Sequence, residues 1–165
     1  MKPTNIRVCL VEDDDGLRQR LRELVDTLPG YQCVGAYATA EQALQELPQA
    51  CPRLLLTDIN LPGLSGVELV TQLRDVLPDT EIIMLTVYDD TELIFRSLSA
   101  GAGGYLLKPV KRAQLLEAMS DILQGGAPMS SSIARRVVQT FRKPVQTSAI
   151  DGDLSTLSTR EREIL

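Results

Sequence analysis

The chain has no histidine. That excludes Ser-His-Asp and Cys-His nucleophilic sites, and any metal site with a histidine ligand. It has no apolar stretch near the roughly 18 residues needed to span a bilayer. Behind Met1-Lys2-Pro3-Thr4-Asn5 there is no apolar signal region, so a cytoplasmic protein without membrane attachment is expected. Cysteine is sparse and odd in number: Cys9, Cys33 and Cys51. Two fall inside apolar runs, which points to buried reduced thiols rather than a disulfide framework. Positive charge is in deficit. A net charge of −5 argues against gripping nucleic acid through overall charge and suits docking to basic or mixed protein surfaces.

With 165 residues, 44% hydrophobic and 24% charged, the chain holds one domain with a sizeable core and a short remainder. Five short runs of β-type residues recur at 6–11, 31–36, 53–57, 82–86 and 104–107. Between them lie stripes at helical spacing: Leu17, Leu21, Leu24 and Leu28; Val67, Val70, Leu73 and Leu77; Leu115, Met119, Ile122 and Leu123. Ser65 with Glu68 and Thr39 with Gln42 have the spacing of capping boxes, and Gly101 and Gly125 stand where helices should stop. The alternation predicts an α/β fold, a parallel sheet with helices on both faces.

The regular unit is expected over 5–125. A linker over 126–155 carries one more helix near 131–142, opened by Ser130 to Ser132 and striped by Ile133, Val137 and Phe141. From Lys143 to Ser155 the composition turns polar and small. Arg135, Arg136, Arg142 and Lys143 read as a solvated helix face. Residues 156–165 start another capped helix, Ser158 with Glu161, which stops in mid-helix; a longer parent protein is expected.

The chemistry gathers where the strands stop. Run one ends in Glu12-Asp13, run three in Asp58, run four in Thr86 and run five in Lys108-Pro109. In an open parallel sheet, ligands bind outside the carboxyl ends of the strands. Three carboxylates converging there need a compensating cation. Their hard oxygens favour Mg²⁺ or Mn²⁺, with Asp13 and Asp58 as direct ligands, Glu12 through water, and a backbone carbonyl at Asn60. Aspartate can be the nucleophile in phosphoryl transfer, so Asp58 is the expected acceptor, with Lys108 taking charge and the Thr86 hydroxyl donating a hydrogen bond. Asp14 and Asp15 read as solvated or helix-capping residues.

These residues resemble bacterial response-regulator receiver domains. The matching signatures are Val11-Glu12-Asp13-Asp14, Leu56-Thr57-Asp58-Ile59-Asn60-Leu61-Pro62-Gly63, Met84-Leu85-Thr86 and Gly104-Tyr105-Leu106-Leu107-Lys108-Pro109. Many receivers carry two aspartates in the first acidic pair, where this chain has Glu12 then Asp13. The resemblance implies a doubly wound, flavodoxin-like five-stranded sheet in the order 2-1-3-4-5, a cis Lys108–Pro109 bond, and phosphorylation of Asp58 by a partner sensor histidine kinase with Mg²⁺. It marks Tyr105 as the ring that turns inward on phosphorylation. The face made by the fourth helix, fifth strand and fifth helix would then dimerise or release an output domain. Tyr88 and Asn60 would screen the phosphoaspartate from water. The segment 157–165 resembles the opening of a LuxR-type helix-turn-helix domain, as in the NarL/FixJ subfamily of transcription regulators, so DNA would be bound only through residues beyond this chain.

Three other readings compete. A phosphatase with an aspartyl-phosphate intermediate often has a second acid two residues after the nucleophile; here that position is Asn60, so a switch rather than an enzyme is expected. A dinucleotide site at Gly101, Gly103 and Gly104 fails because those glycines precede a strand. A stand-alone receiver acting through protein contacts is the remaining alternative.

Overall fold

A computed structural model describes residues 5–142. The polar segment from Lys143 and the capped helix start at 157–165 lie outside the described residues. Five parallel strands form one sheet in the order β2-β1-β3-β4-β5: β1 (Ile6–Val11), β2 (Tyr31–Tyr37), β3 (Leu54–Thr57), β4 (Glu81–Thr86) and β5 (Gly104–Leu107). The helices are α1 (Asp15–Thr27), α2 (Ala40–Ala50), α3 (Gly66–Val76), α4 (Thr91–Ala100), α5 (Arg112–Leu123) and α6 (Ser131–Arg142). This is the doubly wound, flavodoxin-like fold, and the chain reverses direction of travel across the sheet after β2, leaving a crevice between β1 and β3.

Both faces of the sheet are covered, so its inner strands are apolar throughout rather than alternating. All four residues of β3 are buried, as are Ile82 to Thr86. One layer joins Val8, Leu10, Leu54, Leu56, Ile83, Leu85 and Leu106 to Leu21 and Val25 of α1 and to Leu115, Met119 and Ile122 of α5. Deleting any of these leucines would cost about 2–5 kcal/mol. On the other side α2 contributes Ala40, Ala43 and Leu47, α3 contributes Leu69, Val70 and Leu73, and α4 contributes Ile94; all seven are completely buried.

The helix ends follow local chemistry. Asp14 caps α1, accepting from the Leu17 amide at 3.0 Å. Ser65 and Glu68 form the full reciprocal box at α3. At α2 only half of the expected box is present: Thr39 accepts from the Gln42 amide, while the Gln42 side chain pairs with Glu46 one turn on. Gly101 and Gly125 have φ of +128° and +94°, the left-handed stops that glycine tolerates.

Two features depart from the sequence reading. Cys51 is not buried; it ends α2 in a left-handed conformation at φ +46° and is exposed. Cys9 and Cys33 are buried, and burial pushes the Cys9 thiol up to about 11, leaving it protonated and unreactive at neutral pH. The second departure follows α5. Residues Pro128 to Ser130, read from sequence as linker, return alongside β5. The Tyr105 amide donates to Pro128 O at 2.9 Å, the Ser130 amide donates to Tyr105 O at 3.1 Å, and the Leu107 amide donates to Ser130 Oγ at 2.8 Å.

The chain divides into two compact units after Ser130, and α6 belongs to the second. No helix among the described residues is long and apolar enough to cross a membrane.

Candidate functional site

The strand ends deliver the site. The sheet register sets Val11 beside Thr57 and Thr86 beside Leu107. The residues that follow each strand therefore emerge at one edge of the sheet. The Asp58 amide donates to Val11 O at 3.1 Å, and the Lys108 amide to Thr86 O at 2.8 Å, so the backbones stay paired up to the chemistry. The Lys108–Pro109 bond is cis.

Glu12, Asp13 and Asp58 each present a carboxylate oxygen, and these oxygens lie within 4.8 Å of one another. Glu12 and Asp58 are buried, at 3% and 8% exposure; Asp13 is exposed. Lys108 is the counter-charge. Its Nζ donates to Asp58 Oδ2 at 2.8 Å and also to Glu12 Oε1. The sequence reading gave Lys108 to the incoming phosphoryl group; the structure has it bridging two of the three acids. Asp58 Oδ1 accepts from the Ile59 amide at 2.6 Å, so both oxygens of the Asp58 carboxylate are oriented.

Burial drives the electrostatics. It pushes the Glu12 carboxyl upward, against the hydrogen bond and charge of Lys108, and the net direction is up. For Lys108, burial alone would favour the neutral amine, but its hydrogen bonds to Asp58 and Glu12 and their charges prevail, and its pKa rises. The ammonium is thus held charged. With one cation facing three carboxylates, the cluster keeps a surplus of negative charge. Its all-oxygen donor set, one member open to solvent, fits a small divalent cation of the Mg²⁺ class.

Thr86 is fully buried at the end of β4, and its Oγ1 accepts from the Tyr88 amide at 3.5 Å. Tyr105 is fully buried on β5 and its hydroxyl donates to Tyr88 O at 2.6 Å. The ring expected to turn inward on phosphorylation occupies the interior in this structure. Asn60 is exposed in the β3–α3 loop.

Sequence reasoning missed two side chains here. Arg18 donates to Glu12 O at 2.8 Å and pairs with Asp15, tying α1 to the acidic turn; its one-turn spacing from Asp14-Asp15 was the available signal. Glu41 reaches the β3–α3 loop from α2, accepting from the Leu64 amide at 3.0 Å. An exposed acid in the first turn of a helix gives no hint of that.

Comparison with known proteins agrees with this geometry. Residues 8–120 match the response regulator receiver domain family. The uncharacterized transcriptional regulatory protein YxjL of Bacillus subtilis (strain 168) is 30% identical across the whole of this chain and 76% of its own length. The nitrate/nitrite response regulator protein NarL of Escherichia coli (strain K12) is 29% identical over 96% of this chain and 72% of its own. The chain spans about three fifths to three quarters of the length of the curated relatives it matches. Among solved structures, a LuxR-family two-component response regulator from Aurantimonas sp. SI85-9A1 superposes with a TM-score of 0.79 at 29% identity, covering 84% of this chain and 99% of that one. The fold, the acidic cluster with its lysine, and these matches lead to one assignment: the chain belongs to the response regulator receiver domain family.

Proposed function

We propose that this chain is the phosphoacceptor switch of a two-component phosphorelay, taking a phosphoryl group on Asp58 from the phosphohistidine of a partner sensor kinase. The carboxylate oxygen of Asp58 attacks phosphorus, the phosphorus–nitrogen bond breaks, and the imidazole nitrogen left on the kinase takes up a proton. The chain has no histidine of its own, so the donor is a second protein or a small phosphodonor.

The observation that carries this reading is the convergence of Glu12, Asp13 and Asp58 with the Lys108 ammonium 2.8 Å from Asp58 Oδ2. Phosphoryl transfer asks a protein for positioning and charge neutralisation. The Ile59 amide and Lys108 hold the acceptor carboxylate in place. Lys108, released from its bridge, neutralises the phosphoryl oxygens, and the Thr86 hydroxyl donates to one of them. Mg²⁺ or Mn²⁺, held by Asp13 and Asp58 with Glu12 and the Asn60 carbonyl, would supply the remaining positive charge. No second acid follows at position 60, so the product is an acyl phosphate and a change of state rather than ester turnover.

New bonds to Thr86 and Lys108 draw the loop after β4 inward. Shifting a two-state equilibrium from 1:99 to 99:1 needs about 5.5 kcal/mol, which two or three charge-assisted hydrogen bonds at roughly 1.5–3 kcal/mol each supply. Tyr105 is buried in this structure, and the phosphoryl group favours that inward position of the ring. The α4-β5-α5 face then pairs with a second copy or frees a DNA-binding output domain, and transcription follows. The names of the relatives, transcriptional regulators among them, support that output.

The test is a mass measurement after incubation with Mg²⁺ and acetyl phosphate. The wild type should gain one phosphoryl group and Asp58→Asn none. A wild type that gains nothing, or a gain that survives in the variant, removes Asp58 as acceptor.

A further inference from the structure

We propose that Glu41, outside the acidic cluster, is a positioning residue for the Asp58 site: its carboxylate clasps the β3–α3 loop and fixes the segment that carries Asn60. The inference rests on the function proposed above and adds a residue to its machinery.

The loop is held at its base and at its tip. At the base, the Gly66 amide donates to Ile59 O at 2.8 Å. A Cβ at Gly66 would come within 2.9 Å of Asp58 C and Ile59 Cα, so the start of α3 is pressed onto the backbone of the acceptor. At the tip, the Leu64 amide donates to Glu41 Oε2 at 3.0 Å across 23 residues of sequence. Gly63 beside it has φ +77°, and a Cβ there would overlap the Glu41 carboxylate. The backbone favours glycine at that position, and any side chain there would push the flexible end of Glu41 aside.

Four amides of this segment are accounted for: Ile59 on Asp58, Ser65 on Glu68, Gly66 on Ile59, and Leu64 on Glu41. The first three bonds are made within the loop and its own helix. The bond to Glu41 comes from a separate element. That element is rigid: Thr39 caps α2, and Ala40 and Ala43 are fully buried. A carboxylate on a fixed helix end therefore tethers from outside a loop whose Ile59 and Leu61 side chains are buried beneath it. Asn60 lies between base and clasp, so the clasp limits where its carbonyl can go.

Three variants test this in the full chain: Glu41→Ala, Glu41→Gln and Gly63→Ala. Mg²⁺ is titrated calorimetrically and exchange of the Leu64 amide is followed by NMR. Glu41→Ala should free the Leu64 amide and weaken Mg²⁺ binding by about three- to tenfold, the range for one charge-assisted bond at an exposed site, with the melting transition hardly moved. Glu41→Gln keeps an accepting oxygen and should recover most of the affinity. Gly63→Ala should behave like Glu41→Ala, because it drives the carboxylate off the loop. Glu41→Ala with wild-type Mg²⁺ affinity, or with an unchanged Leu64 amide, overturns the clasp. A wild type that neither binds Mg²⁺ nor accepts a phosphoryl group is a different result; it removes the proposed function itself.

Discussion

Replacing Asp13 by asparagine should make the protein more stable without divalent ions and less stable with them. Asp13 is one of three carboxylates whose donor oxygens lie within 4.8 Å of one another, and Lys108 bridges the other two. At that separation each repulsion is about 0.9 kcal/mol at the dielectric of water, and roughly four times as much at an effective value of 20. Asp13 is the exposed member, so the lower figure applies, trimmed further by salt. Removing its charge relieves two repulsions but forfeits the attraction of the Lys108 ammonium, so Asp13→Asn should be roughly 0.5–1 kcal/mol more stable than wild type in chelator at low ionic strength. If Mg²⁺ binds as proposed, a concentration about a hundred times its dissociation constant should stabilise the wild type by about 2.7 kcal/mol. The variant, short of one ligand, gains far less, so the order of stability inverts. Urea unfolding followed by circular dichroism, with chelator and with Mg²⁺, reads both halves. An Asp13→Asn protein that is weaker in chelator, or that gains as much from Mg²⁺ as wild type, would refute the account of the acidic cluster.

Lys108→Ala leaves the buried Glu12 and Asp58 without their cation and should cost about 3–5 kcal/mol near neutral pH, the range for breaking a buried ion pair, with the deficit shrinking in acid as Glu12, whose carboxyl is pushed up by burial, takes up a proton. The Lys108 pKa is raised, so its stabilising contribution is complete below the ordinary lysine value of 10.5 and is lost as pH rises through the higher folded value; Lys108→Ala should lack that alkaline loss in a pH series of unfolding curves. Glu12 is raised too, so its contribution favours the folded state in acid and disappears once pH passes its folded value. Ser97 is fully buried on α4 and its hydroxyl has no hydrogen-bond partner among the described residues; Ser97→Ala should stabilise the fold by about 1 kcal/mol, and thermal unfolding showing a loss instead would mean that the hydroxyl is satisfied in solution.

The strands and their order of chemistry were legible because a sheet buried on both faces writes itself as uninterrupted apolar runs. Leu54-Leu55-Leu56-Thr57 and Ile82–Leu85 have no other reading, and each ends on the residue the site uses. Asp14 and Ser65 announced their helices by capping chemistry that is local in sequence. What stayed hidden is pairing across distance. Lys108 was recognisable as the cation of the site, but its bridge to Glu12 joins the ends of β1 and β5, 96 residues apart in sequence with two strands between them in the sheet. Glu41 and Leu64 are 23 residues apart on elements with no shared pattern. Cys51 was read together with the other two thiols as buried, and no periodicity showed that α2 would end on it. Pro128 to Ser130 look like loop by composition, and only the β5 backbone gives them a partner.

That last pairing decides how copies of the domain can meet. A short strand at the rim of a sheet normally leaves its amides and carbonyls open to annexation by a stranger's strand. Pro128 and Ser130 occupy both backbone groups of Tyr105, and the Ser130 side chain takes the amide of Leu107. The sheet is sealed along that border, and no visiting chain can lengthen it there. Any association on that flank must be written in side chains, whose shapes a signal can alter, rather than in the generic lattice of the peptide backbone, which would hold whether or not a signal had arrived.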